Sequence, residues 1–269
     1  MYIIYKWCFF HAKERRRGRS RLFVDAHTHL EQIGDDFAIF ADKARKKDVF
    51  LLSCSTDPVS YIQTKQKIRT EGLKNAVVAF GIHPWKAHRH YHRLDRYENW
   101  ILEAPMIGEI GLDFHWVKNR KKYEYQMEVF QKMIQRAVID QKPINVHTKG
   151  AEREVETILR NFQVERPIIH WYSGDKESFN GMLKHGCIFT IGIDVFFSRK
   201  TREMVRQLPV YRILTETDGP EAVRWLGGRH ESICYIPAIV KEIATLKRWN
   251  PLELKEIIWN NYCNLWKGE

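Results

Sequence analysis

The stretch VDAHTHL, residues 24–30, places Asp25, His27 and His29 at alternate positions directly after an apolar run. Side chains of a β-strand alternate between its faces, so these three share one side of a strand end. Two neutral imidazoles converging with a carboxylate make half of a site for a divalent cation. Taken alone, the stretch reads equally well as three polar residues in a strand-to-loop turn. The rest of the chain has to decide between the two.

Seven further apolar runs rich in branched residues follow: VFLLSC (49–54), AVVAFGIH (76–83), MIGEIGLD (106–113), PINVHT (143–148), PIIHWYS (167–173), CIFTIG (187–192) and YRILTETD (211–218). With LFVDAH (22–27) they make eight buried-type strands. Amphipathic segments lie between them. One is a helix expected over 121–141 with Tyr125, Val129, Met133, Ile134 and Val138 on its apolar face. Another is expected over 251–266, capped by Asn250 with Pro251 in its first turn. Eight strands alternating with helices predict an α/β chain with a parallel sheet, most simply a closed (β/α)8 TIM barrel over residues 22–269 as a single domain.

The polar residues inside these runs cluster at the strands' carboxyl ends. They are His27 and His29 after the first, His83 after the third, Glu109 at the fourth, His147 at the fifth, His170 at the sixth and Asp218 at the eighth. Barrel active sites are built at that end. Seven polar groups at matching depth would be costly in a core without a cation to compensate them. VDAHTHL therefore reads as one wall of a larger metal cup.

Composition sets the outer limits. With 44% hydrophobic and 13% aromatic residues in 269, the chain can fill a core, which argues against general disorder. Five scattered cysteines (Cys8, Cys54, Cys187, Cys234, Cys263) include no C-x-x-C pair. This argues for a reducing compartment and against a disulfide framework or zinc ribbon, and the protein is expected to be cytoplasmic. Residues 1–21 carry seven cations against Glu14, so they supply +6 of the net +11 and leave a mildly basic body. Their apolar part is shorter than the ~18 residues a spanning helix needs, and the basic cluster follows it, the reverse of a secretory signal. This stretch reads as a disordered basic extension or as translated sequence upstream of a start near Leu22. A weak membrane or nucleic-acid anchor is the other reading.

The chain resembles the TatD-type metal-dependent hydrolases, within the broader amidohydrolase-like barrels. The matching segments are DAHTHL, GIHP (81–84), IGEIGLD (107–113), NVHTKGA (145–151), HWYSGD (170–175) and LTETDGP (214–220), in order and spanning nearly all of 22–269. The resemblance implies a site for two divalent metal ions (Mg, Mn or Zn). His27 and His29 would hold the first with Asp218, Glu109 would bridge both, and His147 and His170 would complete the second. Asp218 and Glu109 are the catalytic candidates, with Asp218 placed to orient a water or take its proton. Asp25 reads either as fixing a histidine tautomer or as a plain strand-end residue, and Asp113 similarly. His83 lies on the pocket rim in the family pattern, where it could touch a phosphate; it could equally be a loop histidine with no role.

The segment HPWKAHRHYHR (83–93) interleaves Lys86, Arg89 and Arg93 with Trp85 and Tyr91, a composition suited to a strand of nucleic acid. Substrate contacts are assigned to His83, Lys149, Lys86 and Arg89. Departures from the family pattern fall among such positions. Lys149-Gly150 stands where many relatives carry Arg-Asp, Trp171-Tyr172 replaces Cys-Phe, and GGRHESICYIP (227–237) replaces an Arg-Asn-x-Pro stretch. The expected function is a deoxyribonuclease, a phosphodiesterase working exonucleolytically on single-stranded or frayed DNA. Such a protein would be a monomer with no obligate protein partner and no membrane span. Hydrolysis of a small phosphoester, amide or ester on the same barrel is the alternative. A non-enzymatic binding protein is the third reading, and retention of all six ligands argues against it.

Overall fold

A computed structural model describes residues 22–228 and 231–266. The basic extension at 1–21 and part of the 227–237 stretch lie outside the described residues. Eight strands alternate with helices: β1 Phe23–Thr28, β2 Val49–Cys54, β3 Ala76–Ala79, β4 Ile107–Asp113, β5 Ile144–Lys149, β6 Ile168–Ile169, β7 Ile188–Ile191 and β8 Ile213–Thr215. They hydrogen-bond in the orders β1-β2-β3 and β4-β5-β6-β7-β8. The chain groups into two compact units. The first takes in the described residues up to 52, then 67–77 and those from 190 onward. The second takes in 53–66 and 78–189.

In the first unit β8 runs beside β1. The Asp218 N–H donates to the His27 carbonyl (2.9 Å), the His29 N–H donates to the Gly219 carbonyl (2.8 Å), and the Thr215 hydroxyl donates to the Val24 carbonyl. Phe50 of β2 packs against Trp259 and Tyr262, with ring centroids 5.9 and 5.1 Å away. Both rings belong to the helix Pro251–Asn264. That helix starts as its sequence requires, with the Asn250 side chain accepting from the N–H groups of Leu252 (2.8 Å) and Glu253 (3.4 Å) ahead of Pro251.

In the second unit β4, β5 and β6 pair in parallel, with Gly111 opposite His147 and Asp113 opposite Lys149. The end of β3 joins β4 through a bridge from Phe80 to Ile107. Two glycines permit this crowding. A Cβ on Gly81 would fall 2.4 Å from the Glu109 backbone. One on Gly111, whose φ is +146°, would fall 2.0 Å from the His147 carbonyl oxygen.

Three expectations need adjustment. The helix Tyr123–Ile139 buries Gln126, Val129, Phe130, Met133, Ile134 and Ala137, while Val138 is 43% exposed. The 3.6-residue period carries the buried stripe through 126, 130, 133 and 137, leaving 138 a third of a turn outside it. Tyr125 is half-buried and its ring lies 4.5 Å from that of Tyr91. β6 is limited to two residues: the His170 N–H still donates to the Val146 carbonyl (3.1 Å), but Trp171 turns the chain with φ +38°. β3 and β8 likewise stop short of the polar residues assigned to them, which occupy the turns that follow. No helix of the described residues is long and apolar enough to cross a membrane.

Gly111→Ala is expected to destabilise the protein by about 3 kcal/mol, because the added methyl forces β4 away from β5. Urea unfolding followed by circular dichroism measures it; a wild-type midpoint would show that the two strands are not held this closely.

Candidate metal centre

The first unit assembles His27, His29 and Asp218. β1 carries His27, and His29 follows one residue past its end; their Nε2 atoms lie 3.3 Å apart. Asp218 follows β8 with φ +46°, a left-handed conformation that aspartate tolerates better than most residues. Its Oδ1 lies 3.3 Å from His29 Nε2 and 3.6 Å from His27 Nε2. Glu31 Oε1 stands 3.7 Å from the other ring nitrogen of His29. Two imidazole lone pairs and a carboxylate oxygen thus converge on one point, as a cation requires.

Asp25 braces the turn that carries Asp218. Its carboxyl accepts from the Thr217 N–H (2.9 Å) and meets the Thr217 hydroxyl (2.7 Å), bracing the residue before Asp218. Complete burial pushes the Asp25 carboxyl up to about 8, against the opposing hydrogen bonds from Thr217.

The second unit assembles Glu109, His147, His170 and His83 around one oxygen. Glu109 Oε1 lies 2.9 Å from His147 Nδ1, 3.0 Å from His170 Nε2 and 3.3 Å from His83 Nε2. His83, on the loop after β3, is only 7% exposed and lies within the cluster. Its Nδ1 accepts from the Trp85 N–H (3.2 Å), which turns Nε2 toward Glu109. The ligand atoms of His83, Glu109 and His147 fall within 4.8 Å of one another, a spacing that fits a metal ion.

Asp113 emerges as the organiser of this second cluster, a larger role than its place at the end of β4 conveys. Its Oδ2 faces His147 Nε2 (3.2 Å) and accepts from the Trp85 indole N–H (2.6 Å), while its Oδ1 accepts from the N–H groups of His115 (3.0 Å) and Trp116 (2.7 Å). Gln126 holds the Asp113 backbone at both N–H (2.8 Å) and carbonyl (3.1 Å). A buried glutamine on the apolar face of the helix Tyr123–Ile139 was the available signal for this anchor. Burial opposes ionisation of Asp113, but the His147 contact and the N–H donors outweigh it and hold the carboxyl at about 2. Burial also lowers His147, yet the carboxylates of Asp113 and Glu109 raise it above the ordinary histidine range. A proton on Nε2 directed at Asp113 leaves the Nδ1 lone pair facing Glu109 and His170, the state a metal ligand needs.

The other assigned residues lie around this second cluster. Lys149 donates to Ser173 Oγ (2.6 Å). Lys86 is ion-paired with Asp57 (2.7 Å) and donates to Thr56 Oγ1 (2.8 Å), so its charge is partly compensated. Arg89 is exposed on the short helix Ala87–His90.

Asp113→Ala is expected to weaken metal retention about 10–100-fold, because His147 loses the partner that sets its tautomer. Titration of chelator-treated protein against a competing metal dye measures this; unchanged affinity would show that Asp113 only supports the loop.

Comparison with known proteins identifies the family. A family model described as TatD related DNase matches residues 24–267. A protein of Methanocaldococcus jannaschii, named only as a metal-dependent hydrolase, is 29% identical over 255 residues, covering 93% of this chain and 98% of its own. A candidate deoxyribonuclease of Mus musculus is 26% identical over 272 residues, covering 90% and 87%. Among solved structures, the TatD homologue YjjV of Escherichia coli K12 matches with a TM-score of 0.81 at 20% identity, covering 90% of this chain and 97% of that one. A TatD-family hydrolase of Entamoeba histolytica matches with a TM-score of 0.78 at 16% identity, covering 92% and 99%. These likenesses establish the fold as the (β/α)8 barrel of the TatD hydrolases. The chain belongs to the TatD-related DNase family.

Proposed function

We propose that this protein is a divalent-metal-dependent hydrolase that cleaves phosphodiester bonds of DNA, working from single-stranded or frayed ends. The observation that carries the reading is Glu109. One buried carboxylate oxygen faces the ring nitrogens of three histidines; His83 meets it as an N–H donor, while His147 and His170 crowd the same oxygen as a set of acceptors that protons or a cation would satisfy. The family match and the names of the relatives support the hydrolase class, and the mouse relative's name supports DNA as substrate.

In this reading His27, His29 and Asp218 would hold one ion, and Glu109, His147 and His170 would hold another. Bound dications supply Lewis acidity and neutralise the charge that develops on a phosphoryl group. The chain's own residues do the rest. Asp218, on a turn braced by Asp25, orients the attacking water and accepts its proton at Oδ1. Asp113 keeps His147 in the ligating tautomer. His83 and Lys149 offer a hydrogen-bond donor and a point charge to the scissile phosphate, without the two-pronged grip an arginine would give.

The test is release of nucleotides from single-stranded DNA by purified full-length protein, with added Mg2+ or Mn2+ and with chelator, beside a small chromogenic phosphodiester. Hydrolysis of DNA that disappears with chelator and in Glu109→Ala is the expected result. Turnover surviving chelation would overturn the metal mechanism. Turnover of the small diester without DNA would leave the small-substrate alternative standing.

A further inference from the structure

Two segments of the second unit carry cations without a single acid. Residues 83–93 contain Lys86, Arg89 and Arg93, and residues 114–122 contain Lys118, Arg120, Lys121 and Lys122, with no Asp or Glu in either. The fold sets them side by side. Lys122 Nζ lies 3.4 Å from His88 Nε2, and the Tyr91 ring lies 4.5 Å from Tyr125, two residues beyond the start of its helix. Among the described residues, Arg89, Lys118, Lys121 and Lys122 have no carboxylate partner. The crowding shows at His88, which burial and then the charges of Lys122 and Arg89 push below the ordinary histidine range. Uncompensated like charges disfavour the compact chain and favour a polyanion.

Each segment also presents one tryptophan, and both are anchored to the same carboxylate. Asp113 accepts from the Trp85 indole at 2.6 Å and from the Trp116 backbone at 2.7 Å. Trp85 is 52% exposed and Trp116 48%. The Trp85 ring stands edge-on to His83, 4.8 Å between centroids, which links it to the Glu109 cluster. Trp85, fixed by its indole N–H yet half open to solvent, and Trp116, half open with its ring edge-on to His115 at 4.7 Å, are stacking surfaces, and aromatic faces interleaved with cations are how single strands are held without sequence preference.

We propose that Trp85 and Trp116, with Arg89, Lys118, Lys121 and Lys122, form a platform that binds a single DNA strand by base stacking and phosphate contact as it leads to the Glu109 cluster. The proposal rests on the DNA reading above and extends it to a preference for unpaired bases. A duplex offers the platform its phosphates but keeps its bases stacked on each other.

The experiment measures binding apart from cleavage. Full-length protein is titrated by fluorescence anisotropy with phosphorothioate strands of about ten nucleotides, which resist hydrolysis, carrying either bases or abasic sites. Wild-type protein should bind the base-bearing strand about tenfold more tightly than the abasic one. Trp116→Ala should bind the two alike, and Trp116→Phe should restore much of the difference, an outcome that a folding defect would not produce. Neutralising Lys118, Lys121 and Lys122 together should weaken both strands and flatten the salt dependence, by about one slope unit or less per lost phosphate contact. An undiminished base preference in Trp116→Ala, or no preference in wild-type protein, would overturn the platform. Neither result would affect metal-dependent hydrolysis, which the preceding assay reads separately.

Discussion

The constraint on which this structure turns is the burial of a carboxylate among histidines. Glu109 is 1% exposed and directs one oxygen at His83, His147 and His170. Water cannot reach such a group to satisfy it, and imidazole lone pairs cannot satisfy one another. Either protons or cations must supply the missing positive charge. His27, His29 and Asp218 pose the same problem in the first unit, with two Nε2 atoms 3.3 Å apart. Clusters of this kind at strand ends are more economically explained by metal than by protonation.

The surrounding chain is arranged to keep these side chains from relaxing. Gly81 and Gly111 let the backbones carrying Glu109 and His147 approach more closely than any Cβ permits. Asp113, held by Gln126 on its backbone, fixes His147 from one side and Trp85 from the other. Asp25 plays the corresponding part for Asp218 by gripping Thr217. Preorganisation of this kind is what allows a ligand set to bind without reordering.

Much of this was legible in the chain itself. Period-two alternation in VDAHTHL, branched runs at regular intervals and polar residues at their ends predict the barrel and a cup of polar groups, because each is a local pattern; the six candidate ligands come from the resemblance to the TatD hydrolases. What escaped was non-local. Nothing near Asp25 in sequence indicates Thr217, and nothing near Asp113 indicates Trp85 or Gln126; these partners are brought together only by the pairing of strands and the packing of a helix. His83 was left open between two roles because its burial depends on the turn after β3. Val138 was misplaced because a helical stripe drifts, and one residue at its edge falls either side of the boundary. The segment 114–122 gave a charge signal as strong as 83–93, but its meaning appears only when the two lie together.

The central claim of the proposed function is that the Glu109 cluster and the His27 cluster each bind metal. Anomalous diffraction from crystals of the full-length protein grown with Mn2+ tests it most directly. The account predicts two anomalous peaks, one ligated by His27, His29 and Asp218 and the other by Glu109, His147 and His170. A single peak, or ions bound away from these residues, would contradict it.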